Sequence, residues 1–464
     1  MMPGLPHPHD PAAHEDHEQS QSRGEAPAPT VHWASWDEAR RIAYGIPQPL
    51  PNILLPLAQC LEETLAESVT AEMPVPHYAT AAADGWAVAG EGPWRIRTPQ
   101  PAETDERLLL TLPPDKRMLP VVELTPGEAT HVDSGDAVPY GTRAVLEAHR
   151  GHVVPADPTA EIPEGTEHGR KAVEGDTLED ATPAATLVKN QDVRAVGEEI
   201  QQGDLLLRAG RRLNPVHLGL AASAGHDMLP VRRRPRVTVL LGYANVVEDG
   251  IPGPGEVRDS LSLQLPAVLR ELGANVDQVR RVADGSDGMV NALTESPLGA
   301  GSLLDARAEM VVTTGGTGHG EDDHVRQALE ELDAHLVLDG VAQEPAHGVI
   351  LAKLPEDGPV VLALPGSPLS AMTGLLTVGH ALIAGATGEG LPTTRRITAG
   401  RALEPLGRTR VIPAYLQDGR VIPEPTVGPA MLSGLAHADV LLVVPEDGMQ
   451  PGQDMEVIPL PWRA

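Results

Sequence analysis

The fold is decided by the stretch Thr313-Thr314-Gly315-Gly316-Thr317-Gly318-His319-Gly320-Glu321-Asp322-Asp323, in which four glycines follow an apolar run. Glycines let backbone N–H groups approach an anion closely, and the N-terminus of a following helix adds partial positive charge. The spacing matches neither the P-loop nor the dinucleotide-binding fingerprint. The stretch therefore predicts either an anion cradle or a plain strand-to-helix connection with Asp322 or Asp323 as the N-cap.

A second turn between an apolar run and a helical segment reads Leu364-Pro365-Gly366-Ser367-Pro368-Leu369-Ser370-Ala371. Open α/β sheets bind ligands at the carboxyl ends of their strands. Both turns are therefore predicted to open at one ligand site, and the second turn favours the anion cradle as the interpretation of the first.

Between residues 235 and 388, apolar runs typical of buried strands alternate with helical segments. This order predicts a doubly wound α/β domain whose strands pair in parallel. Helical spacing is also clear at residues 55–66 and 215–222. The fold class is therefore multidomain α/β plus β. Its other predicted parts are a disordered tail (1–30), a helical linker domain (31–75 and 187–234), a small β domain (76–186) and a C-terminal β-barrel-like domain (389–464).

Composition and charge exclude several classes of protein. A net charge of −30 over 464 residues argues against nucleic-acid binding, which needs clustered cations. The single cysteine, Cys60, excludes an intrachain disulfide framework and a cysteine-based zinc site. No uninterrupted apolar stretch of about 18 residues and no hydrophobic signal core is present. We therefore expect a cytoplasmic protein that does not enter a membrane.

Several motifs together resemble the molybdopterin molybdenumtransferase family and the related gephyrin E domain. The family has a TTGG turn followed by an LPGxPxSA turn, in the order seen here. Residues 83–88 resemble its MDGYAV motif, residues 193–204 its RxxGEDIxxGD stretch, and residues 431–436 its MLSSLA signature. The likeness extends over residues 33–460.

The resemblance implies a homodimer that transfers molybdate to adenylylated molybdopterin with the help of Mg²⁺. Its catalytic acids would be Asp84, Glu198 and Asp259. Glu198 and Asp259 would also bind the metal, and Asp84 would reach across the dimer into the partner's cleft. The implied cofactor-binding positions are Thr314, Gly315, Gly316, Gly320, Asp323, Arg326, Pro365, Gly366, Ser367 and Ser370.

Each implied catalytic acid also fits a purely local role. Asp84 precedes a glycine in a turn, Glu198 follows Gly197, and Asp259 precedes the predicted helix that begins at Ser260. Side chains at such positions commonly accept hydrogen bonds from nearby backbone amides.

Other polar positions depart from the family pattern. The family's STGDEL reads Leu241-Gly242-Tyr243-Ala244-Asn245-Val246, which loses two acids. Its KPGK clamp reads Glu344-Pro345-Ala346-His347, so two cations become an acid and a histidine, and the local field is expected to repel a phosphate. Arg326 replaces a family lysine and is expected to supply one cation.

Three interpretations follow from these differences. The surviving acids favour the molybdenumtransferase. The lost acids and cations favour a catalytically degenerate member that acts as a dimeric scaffold, binding molybdopterin-pathway proteins or another protein partner. A third is a binder of other anionic ligands at the glycine turns, with His319 and His347 as new site residues.

Overall fold

A computed structural model describes most of the chain from residue 31 onward. The predicted disordered tail, residues 1–30, lies outside the described residues. The described ranges are 31–98, 123–156, 172–182, 187–242, 245–283, 285–294, 308–320, 323–425 and 427–463.

A seven-stranded sheet forms the centre of the α/β domain. Four neighbouring strands pair in parallel, as predicted, but one strand is antiparallel to both of its neighbours, so the sheet is mixed. The connections to that strand are too short for the crossover that parallel pairing requires. In order across the sheet, the strands are β1 (Val31–Ala34), β19 (His335–Val341), β20 (Ile350–Lys353, the antiparallel strand), β21 (Val360–Leu364), β18 (Met310–Thr314), β14 (Arg236–Leu241) and β17 (Asn275–Arg281).

The helices predicted between these strands are present. The last of them continues through a π-helical segment, Leu375–Gly379. By length and composition, Pro368–Thr387 could cross a membrane, but 94% of its most apolar window is buried inside the protein, as in a core helix. The helices of this domain are α3 (Leu261–Glu271), α4 (Ser286–Thr294), α5 (His324–Glu331), α6 (Pro368–Gly374) and α7 (His380–Thr387).

The N-terminal segment packs on this same sheet, although its sequence position groups it with the linker domain. β1 pairs in parallel with β19, and helix α1 (Trp36–Gly45) follows it. The helix begins at Ser35, whose Oγ accepts a hydrogen bond from the Glu38 amide. Ala39 and Ala43 are fully buried in the core that contains α6 and α7.

The linker region is less helical than predicted. Residues 55–66 do not form a helix: a strand ends at Pro56, and a 3₁₀ turn occupies Leu57–Gln59. Short apolar runs suit a strand as well as a helix, and here the backbone pairs with a distant strand instead. The predicted helix near 215–222 is present. The elements are β2 (Asn52–Pro56) with β13 (Met228–Arg232), β3 (Val69–Thr70) with β12 (Leu205–Leu207), β4 (Thr80–Ala81) with β11 (Val193–Arg194), and α2 (Pro215–Ser223).

The predicted small β domain contains a six-stranded sheet. Its core contains Trp86, Trp94, Leu146 and Leu178. Its strands, in order, are β8 (Ala144–Glu147), β5 (Gly85–Val88), β7 (Glu128–Val132), β6 (Trp94–Ile96), β10 (Thr177–Asp180) and β9 (Gly151–Val154), with a 3₁₀ turn at Ala148–Arg150.

The C-terminal region is a closed five-stranded barrel, which confirms the predicted barrel-like domain. A short strand pair, β15 (Val246–Val247) with β16 (Val257–Arg258), lies in the loop after β14. The barrel consists of β22 (Arg395–Ala399), β24 (Arg420–Pro423), β23 (Arg410–Gln417), β25 (Val440–Val444) and β26 (Asp454–Pro459), with helix α8 (Ser433–His437) and a 3₁₀ turn at Pro461–Arg463.

Candidate ligand site

Three parallel strands of the α/β domain end side by side. Leu241 at the end of β14 aligns with Thr314 of β18, which aligns with Leu364 of β21. The Gly242 amide donates a hydrogen bond to the Thr314 carbonyl at 3.2 Å, and the Gly315 amide donates to the Leu364 carbonyl at 2.9 Å. Both glycine turns therefore lie at one edge of the sheet, as the strand order predicts.

The first glycine turn passes close to helix α5. Gly315 and Gly316 have φ angles of 82° and 66°, in the left-handed region that favours glycine. A Cβ atom on Gly316 would lie 3.2 Å from the Val325 amide nitrogen. Residues 314–317 are buried, while His319 and Gly320 are exposed. The mouth of the turn is therefore at residues 318–320.

Asp323 and Arg326 hold this turn in shape. Asp323 Oδ2 accepts a hydrogen bond from the Gly320 amide at 2.6 Å. Arg326 Nε donates to the Gly318 carbonyl at 3.2 Å, and its Nη2 lies 2.7 Å from Asp339 Oδ1. The hydrogen bond from Arg326 lowers the pKa of Asp339, against the effect of burial. The Arg326 charge is thus already paired, whereas Glu321 and Asp322 lie outside the described residues.

The second turn begins helix α6 and contacts the C-terminal part of the chain. The amides of Leu369 and Ser370 donate to the Pro429 carbonyl at 2.9 and 3.2 Å. Pro365, Gly366 and Ser367 are half-buried, and Ser370 is buried. Since first-turn amides are the donors that bind anions at a helix N-terminus, the Pro429 carbonyl occupies part of the expected cradle.

Asp259 lies in a short loop between β16 and α3 and is nearly inaccessible, with a side chain only 6% exposed. Its Oδ1 accepts from the Ser262 amide at 3.0 Å, and its Oδ2 lies 2.6 Å from Arg281 Nη2. Burial raises the pKa of Asp259, but the hydrogen bonds from Ser262 and Arg281 outweigh it, so the pKa is below its ordinary value. Asp259 is therefore held as a carboxylate by Arg281, which also contacts Glu248.

The other two predicted acids are exposed, and each accepts a hydrogen bond from a backbone amide. Asp84 Oδ1 accepts from the Ser134 amide at 2.7 Å, in the small β domain. Glu198 Oε2 accepts from the Ala195 amide at 2.9 Å, between β11 and β12. Within the described part of the chain, no hydrogen bond or ion pair joins any two of Asp84, Glu198 and Asp259. Asp259 and Glu198 thus bind amides three positions away, as the local roles require, whereas the amide that Asp84 binds lies 50 positions away.

The loop that replaces the family's clamp is less repulsive than the sequence suggests. Glu344 Oε1 lies 2.8 Å from Arg408 Nη1, and its Oε2 lies 3.3 Å from His347 Nδ1. The expected inversion of the local field is therefore offset by an arginine of the C-terminal domain. The loop also contacts the glycine turns: a Cβ on Gly348 would lie 3.1 Å from Thr317 Oγ1.

Three family models match successive parts of the chain. The MoeA N-terminal region (domain I and II) matches residues 34–225, the probable molybdopterin binding domain residues 237–384, and the MoeA C-terminal region (domain IV) residues 396–460. The chain belongs to the MoeA family. The two glycine turns and Asp259 lie within the part matched by the molybdopterin binding model.

Relatives match along most of their length. Molybdopterin molybdenumtransferase 1 of Mycobacterium tuberculosis is 28% identical, with 89% of this chain and 95% of that protein covered. The molybdopterin molybdenumtransferase of Synechococcus elongatus is 26% identical, with 88% and 94% covered. The crystal structure of the molybdopterin biosynthesis MoeA protein of Pyrococcus horikosii has a TM-score of 0.67 at 21% identity, with 92% and 99% covered. The fold is thus that of MoeA proteins.

The side chains of this MoeA-family chain do not fit a resident magnesium ion. Both carboxylate oxygens of Asp259 already have partners, one of them the cationic Arg281. In the described ranges no group of three or more His, Cys, Asp or Glu residues could hold a metal. A hard cation needs several free oxygen ligands, and the predicted pair of Asp259 and Glu198 does not supply them within one chain.

Sequence patterns missed the residues that complete this edge. Arg281 lies 22 positions from Asp259, and Arg408 lies 64 positions from Glu344. Asp339, the partner of Arg326, belongs to β19, a strand that the apolar pattern does not reveal. Only the charge change at Glu344 signalled that a compensating cation was needed.

Proposed function

We propose that this chain acts in molybdenum cofactor biosynthesis, binding adenylylated molybdopterin at the two glycine turns and transferring molybdate to it. The observation that carries the proposal is the pair of hydrogen bonds, Gly242 to Thr314 and Gly315 to Leu364, that joins three strand ends into one edge. Ligands of open α/β sheets bind at such edges. The names of the Mycobacterium and Synechococcus relatives support the same reaction.

The residues at this edge would act by binding and orientation. The mouth of the first turn, at residues 318–320, can receive anionic groups of the substrate beside the Gly320 amide, which donates to Asp323, and the buried residues 314–317 exclude water beneath it. Asp259 keeps its charge and orientation through Ser262 and Arg281. Magnesium belongs to the proposal only as an ion brought in with the substrate's phosphate.

A second function is favoured by the same contacts. In a catalytically degenerate member, the acids would stabilise the fold and the protein would bind a partner as a dimeric scaffold. The pairing of Asp259 with Arg281 and of Glu344 with Arg408 favours this alternative, because it leaves neither carboxylate free.

The test compares binding with turnover. Purified protein is mixed with adenylylated molybdopterin and molybdate, with and without Mg²⁺, and the released AMP and the molybdenum bound to the pterin are measured. Release of AMP together with molybdenum insertion supports the transferase. Binding without release favours the degenerate alternative, and absence of binding under all conditions contradicts the proposed substrate.

We also propose a cytoplasmic homodimer in which Asp84 of one subunit lies near the partner's Asp259. Light scattering of the purified protein gives the mass of the assembly. Mixing subunits that carry Asp84→Asn with subunits that carry Asp259→Asn should restore activity at one of the two sites, while each variant alone stays inactive. A monomeric mass, or activity in either variant alone, contradicts the shared site.

A further inference from the structure

An exposed tryptophan stands at the same edge of the sheet as the glycine turns. Trp33 lies in β1 and is 58% exposed, in a chain with only 2% aromatic residues. β19 is antiparallel to β20, which is antiparallel to β21, so β19 and its parallel neighbour β1 run in the direction of β21. The carboxyl end of β1, and Trp33 with it, therefore points to the ligand edge.

A short path of contacts connects Trp33 to both glycine turns. Its ring is parallel to that of His347 within 15°, with centroids 6.3 Å apart, and the His347 side chain is itself 58% exposed. The next residue is Gly348, where a Cβ would lie 3.1 Å from Thr317 Oγ1 and 3.9 Å from Pro365 Cγ. The two rings thus form an open aromatic surface beside the turns.

The backbone holds Trp33 in an unfavourable conformation. Its φ angle is 53°, in the left-handed region that a residue with a Cβ rarely adopts. Strained residues of this kind persist where surrounding contacts hold them, and they cluster at ligand sites. Here the neighbouring His32 lies 3.2 Å from Asp339, which is bound by Arg326 of helix α5, and Arg326 also donates to Gly318 of the first glycine turn. The position of the indole is therefore coupled to the shape of that turn.

The charges around this surface suit a neutral, planar ligand group. Glu344, the acid nearest to His347, is paired with Arg408, so no unpaired carboxylate of the clamp loop faces the rings. An exposed indole offers a large flat face, and stacking on such a face is how proteins bind heterocyclic bases with little dependence on their identity.

We propose that Trp33 is a ligand-binding residue that stacks on a planar nitrogen heterocycle, the pterin or the adenine, of a ligand whose anionic groups bind at the glycine turns. The proposal rests on the proposed function and adds a binding element in β1. It predicts that removing the ring weakens binding of the heterocycle and leaves the fold intact.

The experiment measures dissociation constants of adenylylated molybdopterin, molybdopterin and AMP by calorimetry. The test variant is Trp33→Asn, since asparagine tolerates a left-handed φ, and Trp33→Phe restores a ring. Trp462→Ala serves as the matched control, because Trp462 is also partly exposed, at 40%, but lies in the C-terminal 3₁₀ turn. Thermal unfolding of each variant checks that the fold is retained.

We expect Trp33→Asn to raise the dissociation constant of adenylylated molybdopterin at least about tenfold, as loss of a base-stacking contact does. Trp33→Phe should recover most of the affinity, and Trp462→Ala should behave as wild type. If molybdopterin also binds more weakly to Trp33→Asn, the pterin is the stacked ring. If AMP binds more weakly, the stacked ring is the adenine. Quenching of tryptophan fluorescence by the ligand should disappear in Trp33→Asn and persist in Trp462→Ala.

Three results would overturn the inference, and they are distinguishable. If wild-type protein binds adenylylated molybdopterin and Trp33→Asn binds it equally well, the stacking contact is absent while the proposed function stands. If the wild-type protein binds none of the three ligands, the proposed function fails and the role of Trp33 fails with it. A loss of affinity in Trp33→Asn that Trp33→Phe does not restore also contradicts stacking.

Discussion

The ion pair between Asp259 and Arg281 makes the sharpest prediction about stability. Arg281→Met removes the cation but keeps most of the aliphatic stem, and so leaves a carboxylate that is 6% exposed and still hydrogen-bonded to Ser262 but without its cationic partner. Breaking a fully buried pair costs about 3–5 kcal/mol. Arg281 is itself 29% exposed, so water can reach the site. We therefore expect Arg281→Met to lower the free energy of unfolding by about 2 kcal/mol at neutral pH.

The effect has a defined pH dependence. Because the folded-state pKa of Asp259 is lowered, its stabilising contribution is present above the unfolded pKa of about 3.9 and is lost as the pH falls through the folded value. In Arg281→Met, burial remains while the arginine is gone, so the pKa of Asp259 rises. The difference in free energy of unfolding between wild type and Arg281→Met should therefore shrink as the pH falls from about 7 to about 4.

Urea unfolding at both pH values measures the free energies. Asp259→Asn and the double variant complete a cycle, in which we expect a coupling of about 1–2 kcal/mol at neutral pH. A destabilisation by Arg281→Met below about 0.5 kcal/mol would refute the argument, because it is the change seen for ordinary surface substitutions. A destabilisation that stays the same at both pH values would refute the assignment to Asp259.

Three further substitutions test the ligand edge. Gly316→Ala should destabilise the protein by about 1–2 kcal/mol, because the φ angle of Gly316 is 66° and the new Cβ would press on the Val325 amide. Thermal unfolding measures the effect, and an unchanged Tm would contradict it. Glu344→Gln frees Arg408 and should tighten AMP binding several-fold in calorimetry, with a larger gain at low salt; weaker binding would show that Glu344 itself contacts the ligand. Arg326→Met removes the donor to the first turn and should weaken AMP binding about tenfold; unchanged affinity would show that the turn keeps its shape without the arginine.

Local patterns predicted the elements whose character is decided within a few residues. The apolar run 237–241 forms β14, the run 359–364 forms β21, and the glycine turn between β18 and α5 lies where its sequence places it. Burial on both faces requires continuous apolar residues, and a left-handed turn requires glycine. Such requirements can be recognised in the sequence without knowing which distant segment of the chain each element packs against.

The same local patterns failed where pairing with a segment distant in the sequence decided the structure. Residues 55–66 have helical spacing, yet the first two of them belong to β2, which pairs with β13 at positions 172 to 180 residues further along the chain. β20 lies between two strands antiparallel to it, because short connections forbid a crossover. β1 and α1 pack on the α/β sheet because Ala39 and Ala43 fit its core.

The sequence by itself determined the family, the α/β core, the barrel and the two glycine turns, because periodicity and glycine placement are properties of neighbouring residues. Only the tertiary structure decided that Asp259 is bound by Arg281, that Glu344 is neutralised by Arg408, and that Trp33 lies beside His347. Ion pairs and ring contacts depend on distances between segments far apart in the chain. Those distances are set by the packing of whole sheets, which leaves no periodic signal in the sequence.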